Sequence, residues 1–206
     1  MLTMGAVNGI DPAEIDGDCY CEELLLFKVA KSKRKPFPRQ PRRTCKVGEI
    51  FYADLAGKFK HKSLGGSQHF LLMKDDACGF RTVYFLKHKS DTAKCLEEYF
   101  DRWKNTLQKP MKVLKSANGG EFISKEVEAI LQKFGIEHET SAPEDPESNG
   151  VIVCEMRTVK EAARTMLYTA KLPVCLWAEA VGCAVYSLNS LLSSRSPGRT
   201  PYERVY

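Results

Sequence analysis

The sequence predicts an α/β domain: a mixed five-stranded sheet, three antiparallel strands and then parallel ones, flanked by helices. Three observations carry that prediction. Short strand-like segments at Glu49 to Ala56, Phe70 to Met73 and Thr82 to Lys87 follow one another across polar, turn-forming stretches. That is the pattern of an antiparallel meander. Beyond them, helical periodicity alternates with short strands, which calls for crossovers and parallel pairing. Finally, the stretch MKVLKSANGGEFIS (Met111 to Ser124) reads as strand, glycine turn and helix cap, and so brings side chains to the carboxyl edge of the sheet.

Each element has its own local reason. In Glu49 to Ala56, Ile50, Tyr52 and Asp54 share one face, while Phe51, Ala53 and Leu55 share the other. The loop from Lys58 to Ser67 leads into an apolar run at Phe70 to Met73, and Asp75 to Gly79 turns the chain into the third strand. Ser90 or Asp91 can cap a helix to about Leu107 whose inner stripe is Leu96, Tyr99, Phe100 and Trp103. The central strand runs from Met111 to Ala117, and Gly119 and Gly120 supply residues that tolerate positive φ. Ser124 caps a second helix, Gly135 ends it after Phe134, and Ile136 to Thr140 makes the last strand. The breaker SAPEDPESNG then separates it from two longer helices, Val151 to Ala170 and Pro173 to about Leu192.

Charge is unevenly distributed although the net charge is only +5. Residues 1–27 hold six acids and no Lys or Arg, while residues 28–46 hold nine bases and no acid. The predicted organisation is therefore an acidic-then-basic, mostly extended segment over residues 1–47, with a short helix at Cys21 to Ala30, followed by one folded domain over residues 48–206. The basic run KSKRKPFPRQPRR is either a solvated segment or an attractor of nucleic-acid phosphates; both readings stay open. Eight scattered cysteines point to reduced usage rather than a disulfide framework. With no membrane-length apolar run and no signal-like start, a nuclear or cytoplasmic location is expected, not a secreted or membrane one.

Several spaced motifs now resemble one family. They are KSKRKPFP, GEIFYADLAG, VYFLKHKSD, LKSANGGEF, GIEHETSAPEDPESNG, AARTMLYTAKLPVCLWAEAV and RTPYE, in that order, across Lys31 to Tyr202. The chain resembles the integrase segment of a copia-type retrotransposon polyprotein, which implies a ribonuclease-H-like fold and an ancestral activity of metal-dependent DNA strand transfer. In that family three carboxylates hold two Mg²⁺ or Mn²⁺ ions about 4 Å apart, which activate the attacking oxygen and stabilise the leaving one.

Residue by residue, the resemblance places the first acid at Asp54, the second at Ala117 and the third at Val153. Only Asp54 is an acid. Glu155 lies two residues past Val153, about 200° around a helix, and is expected to point away. Glu121 and the pair Asp75 and Asp76 match acids the family carries beside its metal set. The expectation is that Asp54 holds Mg²⁺ or Mn²⁺ weakly at best and that strand transfer is lost. The family's upstream zinc module is not expected either, since Leu24 and Phe27 fill its cysteine positions, Cys19 and Cys21 are out of register, and no histidine precedes His61.

For the remaining function, the third helix carries an apolar stripe of Ile152, Met156, Val159, Ala163, Met166, Leu167 and Ala170, with Val153, Arg157, Lys160 and Arg164 in a row beside it. By the resemblance, Lys31, Lys33, Arg34, Lys35, Arg157, Lys160 and Arg164 are candidate contacts to DNA phosphates, non-specific and salt-sensitive. The bland alternative for the row is a solvated helix flank. The apolar face of the fourth helix, from Leu176 to Leu188, is read as core, with self-association as the alternative. Three other functional readings remain: a DNA-binding protein in its own right, a protein-interaction module, and a working enzyme with a displaced site.

Overall fold

In a computed structural model, which describes residues 45–108, 111–140, 150–192 and 198–206, the centre of the sheet is β1 (Ile50–Ala56). Strands β2 (His69–Asp75) and β3 (Arg81–Leu86) add to it antiparallel, while β4 (Val113–Ser116) and β5 (Glu137–Thr140) add parallel on the other side. The sheet order is therefore β3-β2-β1-β4-β5. Among the described residues there are also five α-helices: α1 (Thr92–Leu107), α2 (Lys125–Phe134), α3 (Gly150–Thr169), α4 (Trp177–Ser190) and α5 (Pro201–Val205).

The two-residue period of β1 divides the molecule into two cores. Phe51 and Ala53 face one way, with Leu71 and Met73 of β2, and are covered by α1 and α2. The expected α1 stripe is fully engaged there: Leu96, Tyr99, Phe100 and Trp103 are buried, and Phe51 meets the Trp103 ring edge-on at 4.9 Å. Tyr52 and Ala56 face the other way, with Phe70 and Leu72, under α3 and α4. Ile152, Met156, Val159 and Ala163 of α3 and Trp177, Val181 and Val185 of α4 fill this second core. The apolar face of α4 thus packs inward as read from the sequence. Of the α3 stripe only Ala170 misses, being exposed just past the helix end.

Local caps follow the sequence in part. Asp91 stands at the N-cap of α1 but makes no side-chain cap bond there, its carboxylate accepting the His88 amide at 2.9 Å instead. The α2 caps form as expected. The Ser124 hydroxyl accepts the Val127 amide at 3.3 Å, and Gly135 ends α2 with a left-handed φ of 66°. Such a cap contributes about 1 kcal/mol. Gly57 is needed for a different reason: its φ is +123°, and a Cβ there would stand 2.5 Å from the Gln68 carbonyl oxygen. Gly119 and Gly120 do not use the freedom that the sequence offers them, since neither adopts a positive φ. The turn after β4 is made without left-handed backbone, by a Phe122 amide bond to the Gly119 carbonyl. The central strand is also shorter than Met111 to Ala117, covering only Val113–Ser116. One helix was not foreseen: α5 starts at a Thr200-x-x-Glu203 capping box with Pro201 at its first position. The expected helix at Cys21 to Ala30, the basic run and the breaker loop at 141–149 lie outside the described residues.

Candidate functional site

Asp54 and Ala117 meet at the carboxyl edge of the two central parallel strands. Ala53 pairs with Ser116, the last residue of β4, so Asp54 and Ala117 are the next residues out on adjacent strands. Parallel strands lie about 4.8 Å apart, which makes these two positions immediate neighbours. The Ala117 carbonyl is held in place, accepting the Ser116 hydroxyl at 3.0 Å, while the Ser116 oxygen also lies 2.9 Å from Nε2 of His138 on β5. Ser116 is 1% exposed, so this pair braces the strand end and offers no accessible nucleophile.

Asp54 itself is half-buried and accepts the Leu55 amide at 2.9 Å. Burial raises its carboxyl above the ordinary range, the Leu55 amide and the Lys160 ammonium pull it down, and Glu121 pushes it up again. Lys160 responds in kind. Burial lowers its ammonium, Asp54 raises it and Arg164 lowers it. The edge therefore gathers Asp54, Glu121 and Lys160 within electrostatic reach, a juxtaposition of loop, strand and helix that spacing along the chain did not reveal.

Val153 opens the same side of α3 that carries Lys160, seven residues or almost two full turns later. It is 49% exposed, an isopropyl group in water. Arg157 stands between them and lies 3.9 Å from Glu161 on the next turn; Arg164 continues the row and is exposed. Lys31, Lys33, Arg34 and Lys35 lie outside the described residues.

Glu155 has a wholly different environment. It is 7% exposed and turned against the sheet, where its two oxygens bond Lys74 of β2 and Arg81 of β3. Burial alone would raise the Glu155 carboxyl, but the Lys74 ammonium and the Arg81 guanidinium outweigh it and hold it low. Arg81 also donates to the carbonyls of Gly79 at 2.9 Å and Leu188 at 3.2 Å. The expectation that Glu155 points away from the Val153 side is met, for the reason given: two residues is 200° of helix. Asp75 is likewise structural. It is fully buried and accepts the amides of Gly48 at 2.8 Å and Cys78 at 2.7 Å. The buried cluster of Lys74, Glu155 and Arg81 was missed in the sequence because its members are far apart in the chain, and each alone looks like a surface charge.

Among the described residues, no three His, Cys, Asp or Glu side chains are placed to hold a metal ion, and no helix is long and apolar enough to cross a membrane. Among the described residues, the donor set at the edge does not fit a pair of hard divalent cations: Asp54 and Glu121 are its carboxylates, the Ala117 and Val153 side chains offer no oxygen, and Glu155 is fixed elsewhere.

No protein-family model matches the chain. Among curated proteins, it is 35% identical over 170 residues to the retrovirus-related Pol polyprotein from transposon TNT 1-94 of Nicotiana tabacum, a match over 82% of this chain. It is 28% identical over 178 residues to that of transposon RE2, and 26% identical over 188 residues to that of transposon RE1, both of Arabidopsis thaliana. These matches cover 86% and 90% of this chain respectively. The chain spans only 12% of the length of each of these three polyproteins. Among solved structures, it is similar in fold to a chain of the simian T-cell lymphotropic virus intasome in complex with PP2A regulatory subunit B56 gamma. There the TM-score is 0.64 at 18% identity, over 85% of this chain and 60% of that one. Sheet order and this likeness agree on a ribonuclease-H-like fold, as the sequence predicts. The chain is therefore an integrase-like core domain, related over most of its length to the retrovirus-related Pol polyproteins of copia-type retrotransposons.

Proposed function

We propose that this domain keeps the scaffold and the cationic helix face of an integrase core but has lost metal-dependent strand transfer, acting instead as a non-specific DNA-binding core. One observation carries the loss. Beside Asp54, the two positions that the family fills with carboxylates are Ala117 and the exposed Val153. A two-ion mechanism needs several oxygens from separate elements to fix the cation spacing. Asp54 and Glu121 cannot supply that cage, and Glu155 cannot join without abandoning Lys74 and Arg81.

The retained function rests on Arg157, Lys160 and Arg164. With Val153 in the row where the family has an acid, one carboxylate fewer opposes a phosphate backbone, although Glu161 and Asp54 remain neighbours of Arg157 and Lys160. Lys31, Lys33, Arg34 and Lys35 would add to the same grip.

Two assays test the two halves separately. Incubation of the full chain with a double-stranded donor end, a target plasmid and Mg²⁺ or Mn²⁺ is expected to give no joined product. Joining that disappears in Asp54→Asn would restore the enzyme reading. Binding to a short duplex is expected to weaken steeply with salt. Changing Arg157, Lys160 and Arg164 together to Glu should reduce the slope of log K against log salt by about 3, at roughly one unit per phosphate contact. An unchanged slope would reject the helix face as the DNA contact.

A further inference from the structure

A second feature shares Lys160 with the Asp54 edge but does not include Asp54 in its lining. A cleft of about 440 Å³ opens between α3, the α3–α4 junction and the β1–β2 connection. Its floor is aromatic: Phe59 stacks on Phe70 at 5.9 Å and meets Trp177 at 4.6 Å. Its rim is unusually apolar for a surface, with Tyr168 74%, Val174 58% and Leu172 48% exposed. Lys160 and Arg164 are its only charged lining groups among the described residues, and no acid faces them across it.

These features specify an occupant. The volume falls within the range of about 300–1,000 Å³ usual for small-molecule sites, which combine apolar walls with few polar groups. Asp54 attracts Lys160 from outside the cleft, but no described acid lines the cleft itself, so an anion there would offset what remains of the mutual repulsion of Lys160 and Arg164. We propose that this cleft binds a small amphipathic organic anion, its aromatic or branched-aliphatic body against the Phe59 and Trp177 side and its carboxylate between Lys160 and Arg164. Neither DNA nor the strand-transfer chemistry is needed for this binding. It therefore stands whether or not the proposed DNA contact does.

The probe is 2-naphthoate, titrated into the full chain without DNA and followed by the emission of Trp177, with Trp177→Phe identifying the signal against Trp103. Saturable quenching is expected, with the uncharged 2-naphthamide bound about tenfold more weakly, as loss of one charge-assisted contact implies. Arg164→Gln should bring naphthoate affinity down to about that of the amide, and this exposed position carries little risk to folding. Equal affinity for acid and amide, or no effect of Arg164→Gln, would overturn the assignment. So would sedimentation showing that the cleft is closed by a second copy, read as a dimer that Tyr168→Glu dissociates.

Discussion

Asp54 and Glu155 are two carboxylates on the same side of one sheet, yet they live under opposite physical regimes. Glu155 is buried, doubly bonded to Lys74 and Arg81, and held low. Asp54 is half-buried at an open edge, bonded only to its neighbour's amide among the hydrogen bonds described, and raised. The difference teaches that a carboxylate two residues from a required position is not a near miss. On α3 the step from Val153 to Glu155 turns a side chain from water into a structural ion cluster.

The largest effect expected from breaking this contrast is on the buried side. Glu155→Ala withdraws the counter-ion that Lys74 and Arg81 share, their side chains being 5% and 11% exposed. Breaking such a cluster costs about 3 kcal/mol or more. For a chain of this size that lowers the thermal midpoint by roughly 10 °C. A midpoint within two or three degrees of wild type, about 1 kcal/mol, would mean that the cluster is not what fixes α3 to the sheet.

Next comes Asn189, which joins α4 to the edge strand β3. Its amide exchanges two bonds with the Arg81 backbone, accepting from the nitrogen at 2.9 Å and donating to the oxygen at 2.8 Å. Asn189→Ala should cost about 1–3 kcal/mol, since it leaves a half-buried backbone pair unsatisfied. Urea unfolding measures this, and amide exchange in β3 should rise before that in β4.

The smallest effect is the most discriminating, because the two carboxylates should depend on pH with opposite signs. Glu155 has a lowered folded value, so its contribution is present above the unfolded carboxylate range and is lost as pH falls through the folded value. Asp54 has a raised one. Its contribution is present below the unfolded value, near 3.9 in free peptides, and is lost as pH rises through the folded value. Asp54→Asn should therefore stabilise the domain at pH 7, by about 1–2 °C in midpoint, and the gain should vanish below about pH 4. Destabilisation at pH 7 would show instead that Asp54 is held by Lys160 more firmly than burial opposes it.

What could be read from the sequence was whatever is local or periodic. The faces of β1, the stripe of α1, the Ser124 cap and the Gly135 stop depend on neighbours three or four residues away, and all hold. The Asp54, Ala117 and Val153 positions came from motif resemblance, and register places the first two side by side. What could not be read depends on pairing across the fold. Lys74, Arg81 and Glu155 acquire meaning only when α3 crosses β2 and β3, and Lys160 reaches Asp54 only because α3 lies along β1. The helix α5 is the exception, since its Thr200-x-x-Glu203 capping box is local and legible in the sequence. The glycines after β4 show the limit of residue type alone: Gly119 and Gly120 permit positive φ, but neither adopts it.

Calorimetric titration with Mn²⁺ tests most directly the proposal that the sheet edge has too few carboxylates to hold two cations. Wild type should show no saturable uptake at micromolar metal, whereas the double variant Ala117→Asp, Val153→Glu should bind cations at the rebuilt edge and lose them again on Asp54→Asn. Two manganese ions bound tightly by the wild-type chain, and released by Asp54→Asn alone, would contradict it.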